Sequence, residues 1–266
     1  MSSLAPARPD GPDAARTPGA LRLVALHTRA QVVETARVPI ALVGTLVFPT
    51  LVLLFFVVPQ PFAQDPAPAT AAVAQISLFA VISVCLFTYG VGVAEDRALP
   101  WDPYLRTLPV GAGPRLAGRL LNGLGFALAS LVPVVGVASL LTAATLPAGR
   151  LLLTGGALAL AALPMLGLGL AIGYGASTKA ALALAQLLLL PLAFGGGLFL
   201  PPELFPTWLD ALSTWLPTRA GRDLVVAAST GTDLSTTALP VLAAWTVLTG
   251  ALAVLAYRRD EGRRFR

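Results

Sequence analysis

Glu95-Asp96-Arg97-Ala98-Leu99-Pro100-Trp101-Asp102-Pro103-Tyr104-Leu105-Arg106-Thr107-Leu108-Pro109 is the stretch on which the fold turns. On either side of it, with Arg115 and Arg119 closing the charged run, lie residues 71–94 and 120–145, which contain no Asp, Glu, Lys or Arg. A segment this polar cannot rest in hydrocarbon, so it protrudes into water between two membrane spans and presents a surface there.

The rest of the chain supports that frame. Its 266 residues are 56% hydrophobic and 12% charged, about half the charge of an ordinary soluble domain. Apolar runs place six spans near 38–59, 71–94, 116–145, 151–174, 180–199 and 236–257, the third longer than a bilayer requires. The expected fold is therefore all-α and polytopic. Residues 1–20, rich in Pro and Ala, read as a disordered tail. Residues 21–259 form the membrane domain, and 260–266 a short basic tail. Within 21–37, Leu23, Leu26, Ala30 and Val33 recur at helical spacing with Arg22, Arg29, Gln31 and Thr35 mostly elsewhere, which predicts an amphipathic helix on the membrane surface.

Basic residues set the orientation. With six spans, both termini and the loops at 95–115 and 175–179 share one side, which holds fifteen of the eighteen Lys and Arg residues. Only Arg150, Arg219 and Arg222 fall opposite. The termini are expected in the cytoplasm, in a bacterial cell membrane. The net charge of +5 is then a topology signal and not a nucleic-acid footprint. The cluster Arg258-Arg259…Arg263-Arg264 suits anionic lipid at the end of the last span.

A second informative stretch runs from Pro201 to Pro217. Leu204, Trp208, Leu212 and Trp215 share a helical face, with Phe205, Leu209 and Leu216 beside it, and Glu203 and Asp210 are the acids of the segment. About four turns, too short to span, should lie along or dip into the outer leaflet, with tryptophans at headgroup level.

Enzyme chemistry fails on inventory. One cysteine (Cys85) and one histidine (His27) cannot assemble a metal site or a disulfide, and no catalytic residues are assigned. The spans hold only isolated polar groups such as Gln75, Asn122 and Gln186, which argues against hydrolases and against ion-coupled carriers. A phosphate-binding loop needs Lys after Gly, whereas the sole lysine, Lys179, follows Thr178. Any work against a gradient must draw on another chain. The 95–109 insert can receive it: Trp101, Tyr104, Leu105 and Leu108 offer an apolar knob for a groove on a soluble partner. Glu95, Asp96 and Arg97 can pair locally or with Arg29 or Arg37.

These features together resemble the six-span permease subunits of type 2 ABC transporters. The resemblance rests on Glu95-Asp96-Arg97, on Leu105-Arg106-Thr107-Leu108-Pro109-Val110, and on Gly197-Leu198-Phe199 followed by Pro202-Glu203-Leu204-Phe205-Pro206, Trp208-Leu209 and Leu216-Pro217. It implies two permease copies, or a paired homologue, bound to two cytoplasmic ATP-binding subunits that carry the ATP and magnesium, with no cofactor on this chain. It implies a coupling helix within 96–109, with Glu95, Asp96, Arg97, Trp101, Tyr104, Leu105, Arg106 and Leu108 as docking residues, and a connecting helix over 21–37. It further implies re-entrant helices carrying Glu203, Phe205, Trp208 and Trp215. A central cavity between the second and fifth spans would be lined by Gln75, Ser83, Phe87, Gln186 and Phe194. Cargo that suits such spans is amphipathic or lipophilic, drug- or antibiotic-like; a lipid-linked polymer, a secondary carrier and a membrane scaffold remain the alternatives.

Overall fold

The computed structural model describes residues 39–99 and 112–263, with isolated positions at 25, 26, 28, 29 and 33. Among the described residues every regular element is helical. Helix α1 (Pro39–Val52) widens into a π-helical turn over Leu53–Val57, and a 3-10 turn over Pro61–Gln64 leads to α2. Helix α2 (Pro66–Ala98) is continuous but of mixed winding: α-helical to Ser83, π-helical over Val84–Val91, α-helical again over Gly92–Ala98. There follow α3 (Ala112–Ala129), α4 (Leu131–Leu141), α5 (Ala148–Gly175) and α6 (Thr178–Gly195). Two short helices, α7 (Thr207–Ser213) and α8 (Pro217–Thr230), precede the last, α9 (Ala238–Arg263).

Among the described residues, five stretches are long and apolar enough to cross a membrane: Pro66–Ala98, Ala117–Leu141, Ala148–Gly175, Thr178–Gly195 and Ala238–Glu261. The chain is a multi-pass membrane protein. The first expected span corresponds to α1 and the π-helical turn that continues it, Pro39 to Val57, of which Leu46–Val57 is described as an apolar helix. The expected third span is divided at Ser130, since Pro133 has no N–H to offer the Ala129 carbonyl. It also ends before residue 145: Thr142 is extended, and its hydroxyl donates to the Ala138 carbonyl at 2.8 Å. The last span outruns its expected end at 257. Its helix continues through Arg263, so 260–263 is not a loose tail, and Asp260 is buried. Of the surface helix expected over 21–37, the described positions 25, 26, 28, 29 and 33 are helical, with Leu26 and Val33 exposed.

Helix α5 is the axis of the bundle, packed against α2, α8 and α9. Without a hydrophobic drive between helices in lipid, close backbone approach supplies the contact energy, and small residues permit it. At Gly169 a Cβ would sit 2.1 Å from the Cys85 carbonyl oxygen of α2, so no larger residue fits unless the helices separate. On its other side α5 meets α9, where Gly167 faces Thr249.

Helix directions give the bundle two ends. The charged end gathers the close of α2, α5 and α9 with the starts of α3 and α6, as the Thr178 hydroxyl donating to Ala94 at 3.2 Å shows for α6 and α2. The tryptophan end gathers Trp208 and Trp215. There the loop after α4 is tied back to the 3-10 turn, where Ala143 N–H donates to the Ala63 carbonyl (2.8 Å), and to α2, where Thr145 N–H donates to the Thr70 hydroxyl (2.9 Å).

Candidate functional site

At the charged end, the motif that opens the polar insert turns inward. Arg97 donates from one guanidinium nitrogen to the carbonyl oxygens of Gly173 (2.6 Å) and Ala176 (3.1 Å), and its other terminal nitrogen pairs with Asp260 of α9. A helix leaves its last four carbonyls without intrahelical partners, so Arg97 closes the end of α5 while neutralising a buried acid. Asp96 pairs with Arg119 of α3, and Arg119 donates from its second terminal nitrogen to the Tyr174 hydroxyl at 3.0 Å. Tyr174 in turn stacks edge-on against Tyr257, ring centroids 5.0 Å apart. Four helices, α2, α3, α5 and α9, thus meet through one polar cluster at the foot of the insert.

Among the described residues Asp96 and Arg97 engage Arg119 and Asp260; Arg37, one of the expected partners of this motif, lies outside the described residues. Glu95 differs from its neighbours in being exposed. The remaining expected docking residues, Trp101, Tyr104, Leu105, Arg106 and Leu108, lie outside the described residues. Arg119 and Asp260 escaped sequence reasoning. The available signal was a cation one turn into a span and an acidic pair, Asp260-Glu261, inside a basic run.

Towards the other end, an open cavity of about 790 Å³ lies between α1, the first half of α2, the close of α6 and the turn at 198–201. Phe48, Phe56, Phe62, Phe79, Phe194 and Phe199 contribute aromatic surface, and its polar lining residues are Gln60 and Gln75. Phe79 and Phe199 meet edge-on at 4.8 Å, and Phe199 and Phe194 at 5.1 Å, so the wall is a continuous aromatic run. Among the described residues, no charged one lines it. Of the expected cavity residues, Gln75 and Phe194 are in this lining and Ser83, Phe87 and Gln186 are not. Ser83 is buried and donates to the Phe79 carbonyl at 2.9 Å, Phe87 packs against the core, and Gln186 is exposed on α6.

The 201–217 stretch is not one helix of four turns. Pro202 starts a 3-10 turn carrying Glu203, which is exposed, and Phe205 is half-buried in the link to α7. Pro206 then starts a new helix, α7, of seven residues. Of Leu204, Trp208, Leu212 and Trp215, expected on one helical face, only Trp208 and Leu212 lie on α7, and all four are exposed, between 55% and 71%. The element that re-enters the bundle is α8, which sequence reasoning passed over. It packs on α2, α5 and α9, with Gly221 against Ala161 and Leu78, and the Thr218 hydroxyl donates to the Leu192 carbonyl at 2.6 Å. Its polar side carries Arg219, paired with Asp223 and Asp210, and Arg222, paired with Asp223. Pro217 at its start and Gly231 at its end, in the left-handed region at φ 80°, were the sequence signal that could have found it.

Comparison with known proteins agrees with these features. Residues 22–229 match the family model described as ABC-2 type transporter. A curated relative from Bacillus subtilis (strain 168), named "Putative transport permease YvfS", is 22% identical over 142 residues. That match covers 53% of this chain and spans 58% of the relative's length. With the family model covering the bundle from before α1 to the end of α8, the chain belongs to the ABC-2 type transporter family, as its membrane permease domain, which has no nucleotide-binding site.

Proposed function

We propose that this chain is the permease subunit of an ATP-driven exporter that moves an amphipathic or lipophilic small molecule, drug- or antibiotic-like, out of the cytoplasm. The observation that carries the cargo reading is the uncharged phenylalanine-lined cavity, about 790 Å³ in volume with two glutamines as its polar lining. Pockets of that size hold drug-sized ligands, and apolar walls with few polar groups favour molecules that already partition into lipid. A long sugar chain would leave most of its hydroxyls unpaired against such a wall.

The charged end is the cytoplasmic face, α1 supplies a sixth span, and both termini lie inside. Energy comes from two ATP-binding subunits, which bind the ATP and magnesium and dock on the 95–109 insert. A second permease copy or homologue completes the pathway. The basic excess on the charged end and the absence of a Lys-bearing phosphate loop in the sequence support this arrangement.

The test is purification from native membranes in mild detergent, identification of co-purifying chains, and reconstitution into liposomes. Recovery of an ATP-binding protein and ATP-dependent uptake of lipophilic dyes into inside-out vesicles are expected. Purified permease with no ATP-binding companion, or transport that follows the proton gradient and ignores vanadate, overturns the reading.

A further inference from the structure

Helix α2 connects the two sites, with Gln75 and Phe79 on the cavity and Asp96 and Arg97 in the polar cluster, and between them it changes winding. A π-helix closes i→i+5 bonds; it is rare, mostly confined to single turns, and concentrated at functional positions. Here it runs for eight residues, Val84–Val91, in the most deeply buried of the spanning helices.

The neighbours are shaped around that wide turn. The Cys85 carbonyl presses on Gly169, where a Cβ would approach to 2.1 Å, and a Cβ on Gly90 would meet the carbonyl oxygen of the same glycine at 3.4 Å. Tyr89 is turned towards α3, where its hydroxyl accepts from Asn122 Nδ2 at 2.9 Å. A π turn holds one residue more than an α turn. Moving that surplus residue along the helix rotates whatever it passes by on the order of 100°, the angle per residue of an α-helix. The lower end of α2 cannot rotate freely, because Asp96 and Arg97 bind α3, α5 and α9.

We propose that Val84–Val91 is the transmission joint of the permease. When the foot of the bundle moves with a docked ATP-binding subunit, the π-helical run shifts its bonding and turns the half of α2 that carries Gln75 and Phe79 into or out of the cavity. The proposal rests on the permease reading above and deepens it: the cluster at the foot stays intact through the cycle, and the change of shape is made in the middle of the span.

Deleting Thr88, which is half-buried and makes no part of either site, removes the surplus residue and leaves both ends of α2 in their present orientation. In the reconstituted complex the deletion is expected to keep ATP hydrolysis within about twofold while transport falls by about tenfold or more. Wild-type transport by the deletion variant overturns the joint. Should the variant not fold, amide exchange on the wild-type complex decides. Peptides over 84–91 are expected to change exchange rate by about tenfold between nucleotide-free and vanadate-trapped states while 66–83 holds constant. Equal protection of 84–91 in both states overturns the joint as well. A wild-type chain that moves no cargo with its ATP-binding subunit overturns the permease reading, a result separable from loss in the deletion alone.

Discussion

Arg97 and Asp260 stand 163 residues apart in sequence and form an ion pair at the charged end of the bundle, with Asp260 only 5% exposed. The pair fastens the last helix to the second. Arg97 also closes α5, so its two roles can be separated by mutation.

Asp260→Ala leaves the Arg97 charge without its buried acid, and breaking such a pair from one side costs about 3–5 kcal/mol. A clear loss of thermal stability in detergent is expected. The exchange Arg97→Asp with Asp260→Arg restores opposite charges but not the bonds to Gly173 and Ala176, since a carboxylate cannot donate. It should recover less than half of the loss; full recovery means the carbonyl contacts contribute little.

Glu95 and Asp96 are adjacent and should behave differently. Glu95→Lys combined with Leu105→Asp is expected to abolish stimulated ATPase activity without affecting membrane insertion. Asp96→Asn should leave the association with the ATP-binding subunit intact and weaken the tie to Arg119 instead, read as a lower unfolding temperature. Pull-down with the ATP-binding subunit separates the two, and equal behaviour would move the docking surface away from Glu95.

Glycine substitutions report the packing axis. Gly169→Ala forces a Cβ into the Cys85 carbonyl, whereas Gly155 and Gly156 on the same helix have nothing within 4 Å. Overpacking of this kind costs about 1–3 kcal/mol or more. Size-exclusion profiles should show loss of the monodisperse species for Gly169→Ala and no change for Gly155→Ala.

Cavity residues divide the same way. Phe194→Ala removes aromatic surface from the lining, and a buried phenylalanine is worth roughly 1.5–3 kcal/mol in area terms. Since Phe194 is 52% exposed, a KM for lipophilic cargo raised by about threefold to tenfold is the expected part of that. Gln186→Ala, outside the lining, should transport as wild type.

Much of the fold could be read from the chain because membrane spans advertise themselves. Charge-free runs such as 71–94 mark α2 within a few residues, and the grouping of Phe194 with Gln75 followed from the family resemblance. Three features resisted for physical reasons. Helix α8 carries Arg219, Arg222 and Asp223, so it does not look apolar, although Pro217 and Gly231 bracket it. The π winding of Val84–Val91 has no residue signature, since it answers to what Gly169 on α5 allows. The pairing of Arg97 with Asp260 was beyond reach because a contact across the whole domain leaves no local pattern in the sequence.

The tie between Arg97 and Asp260 also bears on biogenesis. The second helix is synthesised before the last, so the acid that matches its terminal cation arrives only with α9. Until α9 arrives, the end of α5 and the base of the insert lack their common fastening. A chain truncated before Asp260 therefore lacks the ion pair that joins the last helix to the second.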